Sequence, residues 1–329
     1  MAQTFKKLLN VSEISAQDSF FNLGGHSLMA MKLAAELRAR LGLPVSVGQI
    51  MVSPTIEGLA SVLVDETLRN DPEKAGFGHI LPIRQGQGTP LICINPGSGF
   101  SWQYTGLPKY LEGNYPIIGL QSPRPNGAVA VSEDMQAAVE HYYKALKGVQ
   151  PEGPYRFLGY SFGGTVAVAL AAKLEKQGEQ VSFVGLLDTY PPEGQEWKRP
   201  TEAEAREEVE REKRQFFAAA ENDMSDKVGL AEQDKMFNDI VANYDDTVRL
   251  LAKATTQPYA GKVHLFVAEK TLPDGWDEVK SWAPFVKDLT KYRLPFSHDD
   301  ILSSEALLKI GPRVSGLLFN SLSDQSFDE

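Results

Sequence analysis

Apolar residues in the first 70 positions recur at the spacing of one face of a helix. Leu28, Met31 and Ala35 begin one such pattern. A second pattern follows Ser53-Pro54-Thr55, a segment typical of a helix start. Residues 1–70 therefore predict a small all-helical bundle.

A polar stretch rich in Pro and Gly, residues 71–79, predicts an interdomain linker. From residue 80 onward, short apolar runs alternate with longer helical stretches. Apolar strands that alternate with helices form a mostly parallel sheet covered on both faces. Residues 80–329 thus predict an α/β domain. The predicted strands are 80–83, 91–95, 116–120, 155–160, 182–187, 262–267 and 292–295.

One stretch, residues 191–256, interrupts this alternation. It carries many charges and two amphipathic helical patterns, at 202–220 and 234–252. It is too long for an ordinary connection between a strand and a helix. We predict that it forms a helical lid over the carboxyl edge of the sheet, and a surface helical hairpin is the alternative.

Composition narrows the class of protein. The 329 residues carry a net charge of −10, which disfavours nucleic acid and an anionic membrane surface as partners. The single cysteine, Cys93, lies in an apolar run, so we expect it to be buried and expect no intramolecular disulfide. We find neither an amino-terminal signal peptide nor an apolar run of membrane-spanning length. These features favour a cytoplasmic protein.

The motif Gly159-Tyr160-Ser161-Phe162-Gly163 lies between an apolar run and a helix-prone run. A strand, a sharp turn and a helix in this order hold a serine in a strained conformation at the edge of a sheet. Ser161 is therefore a candidate nucleophile. The alternative is an incidental serine in a glycine-rich turn.

A serine nucleophile needs a histidine base and an acid that orients it. Of five histidines, His298 lies in a loop after the last predicted strand, where it can reach Ser161. Asp188 and Glu269 each end a strand between Ser161 and His298. The residues alone favour Asp188 and leave Glu269 open.

An oxyanion formed at Ser161 needs preorganised N–H donors. One candidate is the amide of Phe162, directly after the serine. The other is the amide of Gly97, in the loop Asn95-Pro96-Gly97-Ser98-Gly99 after an early strand. The alternative for this loop is a simple Pro-Gly turn. No metal is expected in the site.

A second serine, Ser27, stands in Leu23-Gly24-Gly25-His26-Ser27-Leu28 at the start of a predicted helix. It could be a plain helix cap. A phosphodiester attached to its oxygen would lie at a helix N-terminus, where the dipole and free N–H groups favour anions.

The motif around Ser27 resembles the phosphopantetheine attachment motif of thiolation (peptidyl-carrier) domains in nonribosomal peptide synthetases. From about Phe5 to about Leu322, the chain resembles the terminal carrier–thioesterase didomain of these synthetases. A narrower resemblance is to didomains of siderophore-forming members. It rests on residues 118–127, 185–189, 244–251 and 265–269.

This resemblance implies an α/β hydrolase fold with a helical lid, preceded by an all-α carrier bundle. It implies 4′-phosphopantetheine attached covalently to Ser27 by a phosphopantetheinyl transferase. It also implies a catalytic triad of Ser161, Asp188 and His298, which settles the choice of acid against Glu269. The condensation and adenylation domains of such a synthetase are expected upstream as partners, with this chain as a terminal fragment.

The implied activity is transfer of an acyl-serine thioester to Ser161, followed by oligomerisation and macrolactone release of a siderophore from 2,3-dihydroxybenzoyl-serine units. One alternative is hydrolysis to a linear peptide acid. Another is a carrier or docking module whose thioesterase half is inert. We further expect the carrier to dock through Leu28, Met31, Ile50 and Met51, with core packing as the alternative for these four.

Overall fold

The computed structural model of the protein describes residues 1–21, 23–25, 27–42, 45–65, 78–123, 131–193, 227–272 and 275–323. They fall into two compact units. The first contains the described part of Met1–Leu81 and of Lys198–Asp245, with Pro123. The second contains the described part of Pro82–Ser122, Val131–Trp197 and Asp246–Glu329. The predicted linker lies almost wholly outside the described residues.

The amino-terminal part of the first unit is all-helical, as predicted. Its helices are α1 (Ala2–Leu9), α2 (Ser27–Leu41), α3 (Val47–Val52) and α4 (Ile56–Val64). Thr55 caps α4, because its hydroxyl accepts a hydrogen bond from the Gly58 amide at 3.0 Å. The buried side chains that hold these helices together include Phe5, Phe20, Leu33, Leu37 and Leu59.

Two of the predicted docking residues belong instead to the core of this bundle. Ile50 and Met51 are 0% and 2% exposed on α3, so the prediction of a docking role is wrong for them. A helix as short as α3 is stabilised mainly by burying apolar side chains, here against α2 and α4. The side chains of Leu28 and Met31 lie outside what the structure describes.

The second unit is built on a seven-stranded sheet in the order β1-β3-β2-β4-β5-β6-β7. Its central pairs are parallel, as predicted. Ile94 pairs with Gly159 and Ala268 pairs with Leu294, so the carboxyl ends of these strands share one edge of the sheet. The strands are β1 (Ile80–Arg84), β2 (Leu91–Ile94), β3 (Ile117–Leu120), β4 (Tyr155–Tyr160), β5 (Val181–Leu187), β6 (Tyr259–Ala268) and β7 (Val286–Leu294).

Helices follow or precede most strands of this sheet. They are a 3₁₀ helix (Trp102–Tyr110), α5 (Met135–Val149), α6 (Phe162–Lys176), α7 (Lys227–Leu251, of which only the part from Asp246 belongs to this unit), α8 (Glu278–Trp282) and α9 (Ser304–Ser323). Helix α6 is buried along most of its length, because it packs on β2, β4, β5 and β6. This explains its apolar composition all round. Cys93 is fully buried in β2, as expected.

The last strand begins earlier than predicted. Apolar character marks only its end, near residue 292, whereas β7 runs from Val286 to Leu294. As the last strand in the sheet order, β7 is an edge strand and carries charged residues such as Lys287 and Asp288 on exposed positions. An edge strand therefore lacks the continuous apolar run that identifies a central strand.

Helix α7 covers most of the second helical pattern of the predicted lid. The first pattern, at 202–220, lies outside the described residues. The lid thus stays a prediction.

Candidate active site

Ser161 lies at the N-terminus of α6, directly after β4. Its backbone has φ 54° and ψ −123°, a conformation that non-glycine residues adopt only under strain. The flanking glycines make the turn possible. A Cβ on Gly163 would lie 2.2 Å from the carbonyl oxygen of Ile94, and one on Gly159 would lie 2.3 Å from the Gly163 oxygen. The turn therefore has the geometry predicted for a nucleophile elbow.

Asp188 follows β5 and is 5% exposed. Its Oδ2 lies 2.7 Å from Nδ1 of His298. Its Oδ1 accepts two hydrogen bonds, from the Ala268 amide and from the Tyr190 hydroxyl, each at 2.8 Å. Donors on both oxygens fix the plane of the carboxylate and aim Oδ2 at the imidazole.

His298 lies in the loop after β7, held from several sides. Its amide donates to Thr271 Oγ1 at 2.9 Å, and its carbonyl oxygen accepts from the Tyr160 hydroxyl at 3.0 Å. The rings of Tyr160 and His298 lie 4.9 Å apart. An ionised carboxylate can only accept, so Nδ1 donates to Asp188 and Nε2 keeps the lone pair that a general base needs.

Neighbouring residues connect the Ser161 turn to both His298 and Asp188. Tyr160, directly before it, donates to His298, and Thr189, directly after Asp188, donates to the Ser161 carbonyl oxygen at 3.0 Å. The Ser161 amide also donates to the Leu187 carbonyl at 3.0 Å. The structure thus brings the predicted nucleophile, base and acid to the same edge of the sheet.

Glu269, the competing acid, lies in a 3₁₀ turn (Glu269–Thr271) after β6. Its carboxylate is exposed and lies 3.9 Å from the Arg293 guanidinium. Asp188, by contrast, contacts His298 directly. The geometry therefore favours Asp188 as the orienting acid.

The two predicted oxyanion donors come from adjoining segments. Phe162 is the first residue of α6, and the first amides of a helix have no acceptor within it. Gly97 is buried in the loop after β2. The end of β2 lies so close to Gly163 that a Cβ on Gly163 would clash with it. Asn95 fixes that loop, because its side-chain amide donates to the Pro96 carbonyl at 2.8 Å.

Tyr104 holds the two central strands together next to the site. Its hydroxyl donates to the Ile94 carbonyl at 2.9 Å and accepts from the Tyr160 amide at 2.8 Å. Burial raises the pKa of Tyr104, so the phenol keeps the proton that it donates. Through its hydroxyl, Tyr104 thus links β2 to β4 one residue beyond their last pair, Ile94 and Gly159.

Sequence reasoning missed Tyr104, Tyr190 and Thr271. Tyr190 has a weak signal, since it stands two residues after Asp188. Tyr104 and Thr271 have none, because their partners lie far away in the chain.

In the first unit, Ser27 begins α2, and the first turn of that helix has no acidic residue. Gly25 lies so close to Phe20 that a Cβ would be 2.4 Å from the ring. A helix N-terminus without an acidic residue in its first turn suits a phosphodiester. His26 and the Ser27 side chain lie outside what the structure describes.

Within the described part of the chain, no cluster of acidic, histidine or cysteine side chains could hold a metal ion. Among the same residues, no helix is long and apolar enough to cross a bilayer.

A parallel sheet with a serine at a strand–helix turn, and a His–Asp pair at the following strand ends, defines an α/β hydrolase. The thioesterase domain family model matches residues 89–313, and the phosphopantetheine attachment site model matches residues 1–63. The chain belongs to the thioesterase domain family and is a carrier–thioesterase didomain with a covalently attached 4′-phosphopantetheine.

Two curated relatives match nearly the whole chain. It is 56% identical over 315 residues to vanchrobactin synthetase VabF of Vibrio anguillarum, covering 95% of this chain and 11% of that protein. It is 42% identical over 322 residues to enterobactin synthase component F of Escherichia coli, covering 97% of this chain and 24% of that protein. The chain thus spans a quarter or less of either relative.

The fold also matches solved structures. A four-domain nonribosomal peptide synthetase, bound to AMP and glycine, superposes with a TM-score of 0.60 at 23% identity. That match covers 96% of this chain and 25% of the other. At this identity, the likeness concerns the fold alone.

Proposed function

We propose that this chain is the terminal carrier and releasing segment of a siderophore-forming nonribosomal peptide synthetase. The similarity to two siderophore synthetases supports the pathway class. The observation that carries the chemistry is the 2.7 Å contact between Asp188 Oδ2 and His298 Nδ1, beside the strained turn of Ser161. The proposed partners of the chain are the upstream condensation and adenylation domains and a phosphopantetheinyl transferase.

Ser27 is the proposed attachment residue for 4′-phosphopantetheine. When bound there, the group supplies a terminal thiol that carries acyl chains as thioesters. Tethering carrier and thioesterase in one chain gives effective concentrations on the order of millimolar for short flexible linkers.

In the acylation step, Ser161 Oγ attacks the carbonyl carbon of the acyl thioester and its proton passes to Nε2 of His298. Asp188 stabilises the imidazolium that forms. The amides of Phe162 and Gly97 donate to the oxyanion. The carbon–sulfur bond then breaks, the proton returns from His298 to the sulfur, and an ester on Ser161 remains.

In the release step, a hydroxyl group gives its proton to His298 and attacks the ester carbonyl. The bond to Ser161 breaks, and the serine oxygen recovers a proton from His298. A serine hydroxyl of the acyl chain yields an oligomer or a macrolactone, whereas water yields a linear acid. The same residues serve both outcomes.

The first product candidate is a macrolactone of 2,3-dihydroxybenzoyl-serine, which follows from the narrower sequence resemblance. The second is a linear acid. It forms if water, and not a hydroxyl of the acyl chain, attacks the ester on Ser161. Mass spectrometry of the product released from the acyl-loaded chain distinguishes the two.

The assignment of the two serines is tested by exchanging their roles. Ser27→Ala should abolish the mass gain with coenzyme A and a phosphopantetheinyl transferase, yet still hydrolyse a small free thioester. Ser161→Ala should gain the mass but lose hydrolysis. A Ser161→Ala variant that cannot be modified at Ser27 would contradict the assignment.

A carrier module with an inert thioesterase half is excluded or supported by a separate experiment. A fluorophosphonate probe should label the wild-type chain at Ser161 and leave His298→Ala essentially unlabelled, because the serine needs its base. Absence of labelling in the wild-type chain would support the inert module.

A further inference from the structure

We propose that Tyr190 is a positioning residue, which tunes and aligns the His298 base through the Asp188 carboxylate. The inference deepens the proposed function and rests on it. In the contacts that the structure describes, the Tyr190 hydroxyl bonds to Asp188 and not to Ser161. Its effect is therefore transmitted through Asp188.

The geometry gives Tyr190 a defined role in the hydrogen bonds of Asp188. Its hydroxyl lies 2.8 Å from Oδ1, the oxygen that also accepts from the Ala268 amide. The other oxygen, Oδ2, faces His298. With two donors on Oδ1, the carboxylate cannot rotate without breaking one of them.

Tyr190 is itself held in place by the segment between β6 and β7. Its ring packs edge-on against Trp276, with centroids 6.0 Å apart. The indole of Trp282 donates to the carbonyl of the adjacent Thr189 at 3.1 Å. These contacts fix the backbone and the ring, so the direction of the hydroxyl does not depend on Asp188 alone.

Tyr190 is a donor at every working pH. Burial first, and then the negative charge of Asp188, raise the pKa of the phenol far above its ordinary value. The hydroxyl therefore keeps its proton and always donates to the carboxylate.

The hydrogen bond from Tyr190 draws negative charge away from the side of the carboxylate that faces His298. A more charge-rich Asp188 would hold the imidazolium proton more tightly, and the base would become available only at higher pH. Tyr190 thus has two effects that can be separated: orientation of the carboxylate, and proton affinity of the base.

Other charged groups lie near these residues and stay constant in the experiment. Glu278, close to Tyr190, is fully buried and paired with Arg293 at 2.9 Å and Lys291 at 3.0 Å. On the segments that adjoin His298, the charged residues are Glu269, Lys270, Asp299 and Asp300. None of them changes in a Tyr190 variant, so a shift in pH dependence reports the missing hydroxyl.

The test compares Tyr190→Phe with wild type in hydrolysis of a small free thioester across pH. Phenylalanine keeps the ring packed on Trp276 and removes only the donor. Hydrogen bonds to charged groups have effects large enough to predict a fall of about tenfold in kcat, with KM little changed. The acid limb of the kcat/KM profile should move to higher pH by roughly half a unit.

Tyr143→Phe is the matched control. Tyr143 lies on α5, and its hydroxyl donates to the neutral side chain of Gln177 at 2.9 Å, not to Asp188 or His298. It should leave both kcat and the acid limb unchanged. A Tyr190→Phe profile identical to wild type, or lowered uniformly with no shift of the acid limb, would overturn the inference.

A second variant keeps the test decisive if Tyr190→Phe folds poorly. Site-specific 3-fluorotyrosine at position 190 keeps the ring and donates more strongly, so the acid limb should move to lower pH. An unmoved limb, or one moved upward, would contradict the inference. A different result would show that the proposed function itself is wrong: Ser161→Ala would then still hydrolyse the free thioester.

Discussion

The Asp188 carboxylate accepts hydrogen bonds from His298, Tyr190 and the Ala268 amide, and this set defines the site at the scale of single residues. A carboxylate with hydrogen bonds to both oxygens is held in one orientation. A change that keeps its shape but alters its hydrogen bonding should therefore damage catalysis without unfolding the domain.

Asp188→Asn supplies this change. In a triad of this type, an amide in place of the acid holds the histidine in the wrong tautomer and lowers kcat by about 10⁴. We expect a loss of that order in hydrolysis of a free thioester, with an unchanged circular dichroism spectrum. Glu269→Gln is the matched control and should stay within about twofold of wild type, because its exposed carboxylate lies near Arg293. Comparable losses in both variants would contradict the choice of acid.

At this scale, the sequence predicted the serine, the histidine and the oxyanion loop, because each stands at the end of a strand in a known order. The residues alone favoured Asp188 without excluding Glu269, since both follow strands, and the family resemblance implied Asp188. The fold shows the difference directly, because the Asp188 carboxylate contacts His298 and the Glu269 carboxylate lies near Arg293. Tyr190 could not be assigned, because its role depends on the direction of one hydroxyl group.

At the scale of elements, the turn between β4 and α6 depends on close backbone contact with β2. Gly163→Ala would place a methyl group 2.2 Å from the Ile94 carbonyl oxygen, so backbone must shift. Overpacking of this kind destabilises by about 1–3 kcal/mol and should also displace Ser161. Thermal unfolding and thioester hydrolysis measure the two effects.

Gly148→Ala is the control for that experiment. Gly148 lies in α5, and a Cβ there would meet nothing within 4 Å. Alanine in a helix is favoured over glycine by about 0.5–1 kcal/mol, so this variant should be slightly more stable and fully active. Equal stability of the two alanine variants would mean that the elbow does not need its glycine.

The buried His264 on β6 predicts a pH dependence of stability. Burial, and then the charge of Lys262, lower its pKa to about 4, below the ordinary value of 6.5. Between these values the unfolded chain binds a proton that the folded chain does not, so stability is present above pH 6.5 and is lost as pH falls toward 4. The contribution lost by pH 5 is about 2 kcal/mol.

Urea unfolding at pH 7 and pH 5 tests this loss. The described tryptophans, Trp102, Trp276 and Trp282, belong to the second unit and report its unfolding. His264→Phe fits between the rings of Phe183 and Tyr292 and should remove most of the difference between the two pH values. A difference that persists in the variant would assign the pH dependence to other groups.

The elements themselves were predictable to different degrees. The central strands β2 and β4 were found because both faces are buried, which leaves continuous apolar runs. The edge strand β7 was found only at its end, because charged side chains occupy its exposed positions. Ile50 and Met51 were misplaced for a related reason: periodicity finds an apolar face but does not say what covers it.

At the scale of the whole molecule, release by an internal hydroxyl has to compete with water. Well-oriented intramolecular groups reach effective molarities of about 10⁵ M or more, which exceeds the concentration of water. The predicted lid is the one long insertion in the second half of the sequence. Near the carboxyl end of α7, Thr247 donates to the Gly97 carbonyl oxygen at 3.4 Å, next to the proposed oxyanion donor.

We therefore predict that deleting part of residues 202–220, in the predicted lid, raises linear acids relative to cyclic product. The rate at which Ser161 is acylated should change much less. Product ratios by mass spectrometry and acylation rates by rapid quench measure the two effects. If both steps slowed in equal proportion without more hydrolysis, the insertion would be a scaffold and not a water shield.

The most direct test of the central claim locates the acyl group after the carrier is loaded. The chain is modified with an acyl-coenzyme A analogue by a phosphopantetheinyl transferase, quenched, digested and mapped by mass spectrometry. In wild type, the acyl group should move from the Ser27 peptide to the Ser161 peptide and then leave as product. In His298→Ala it should stay on the Ser27 peptide. Loss of the acyl group at the wild-type rate in His298→Ala, or a Ser161 peptide that is never acylated, would contradict transfer between these serines.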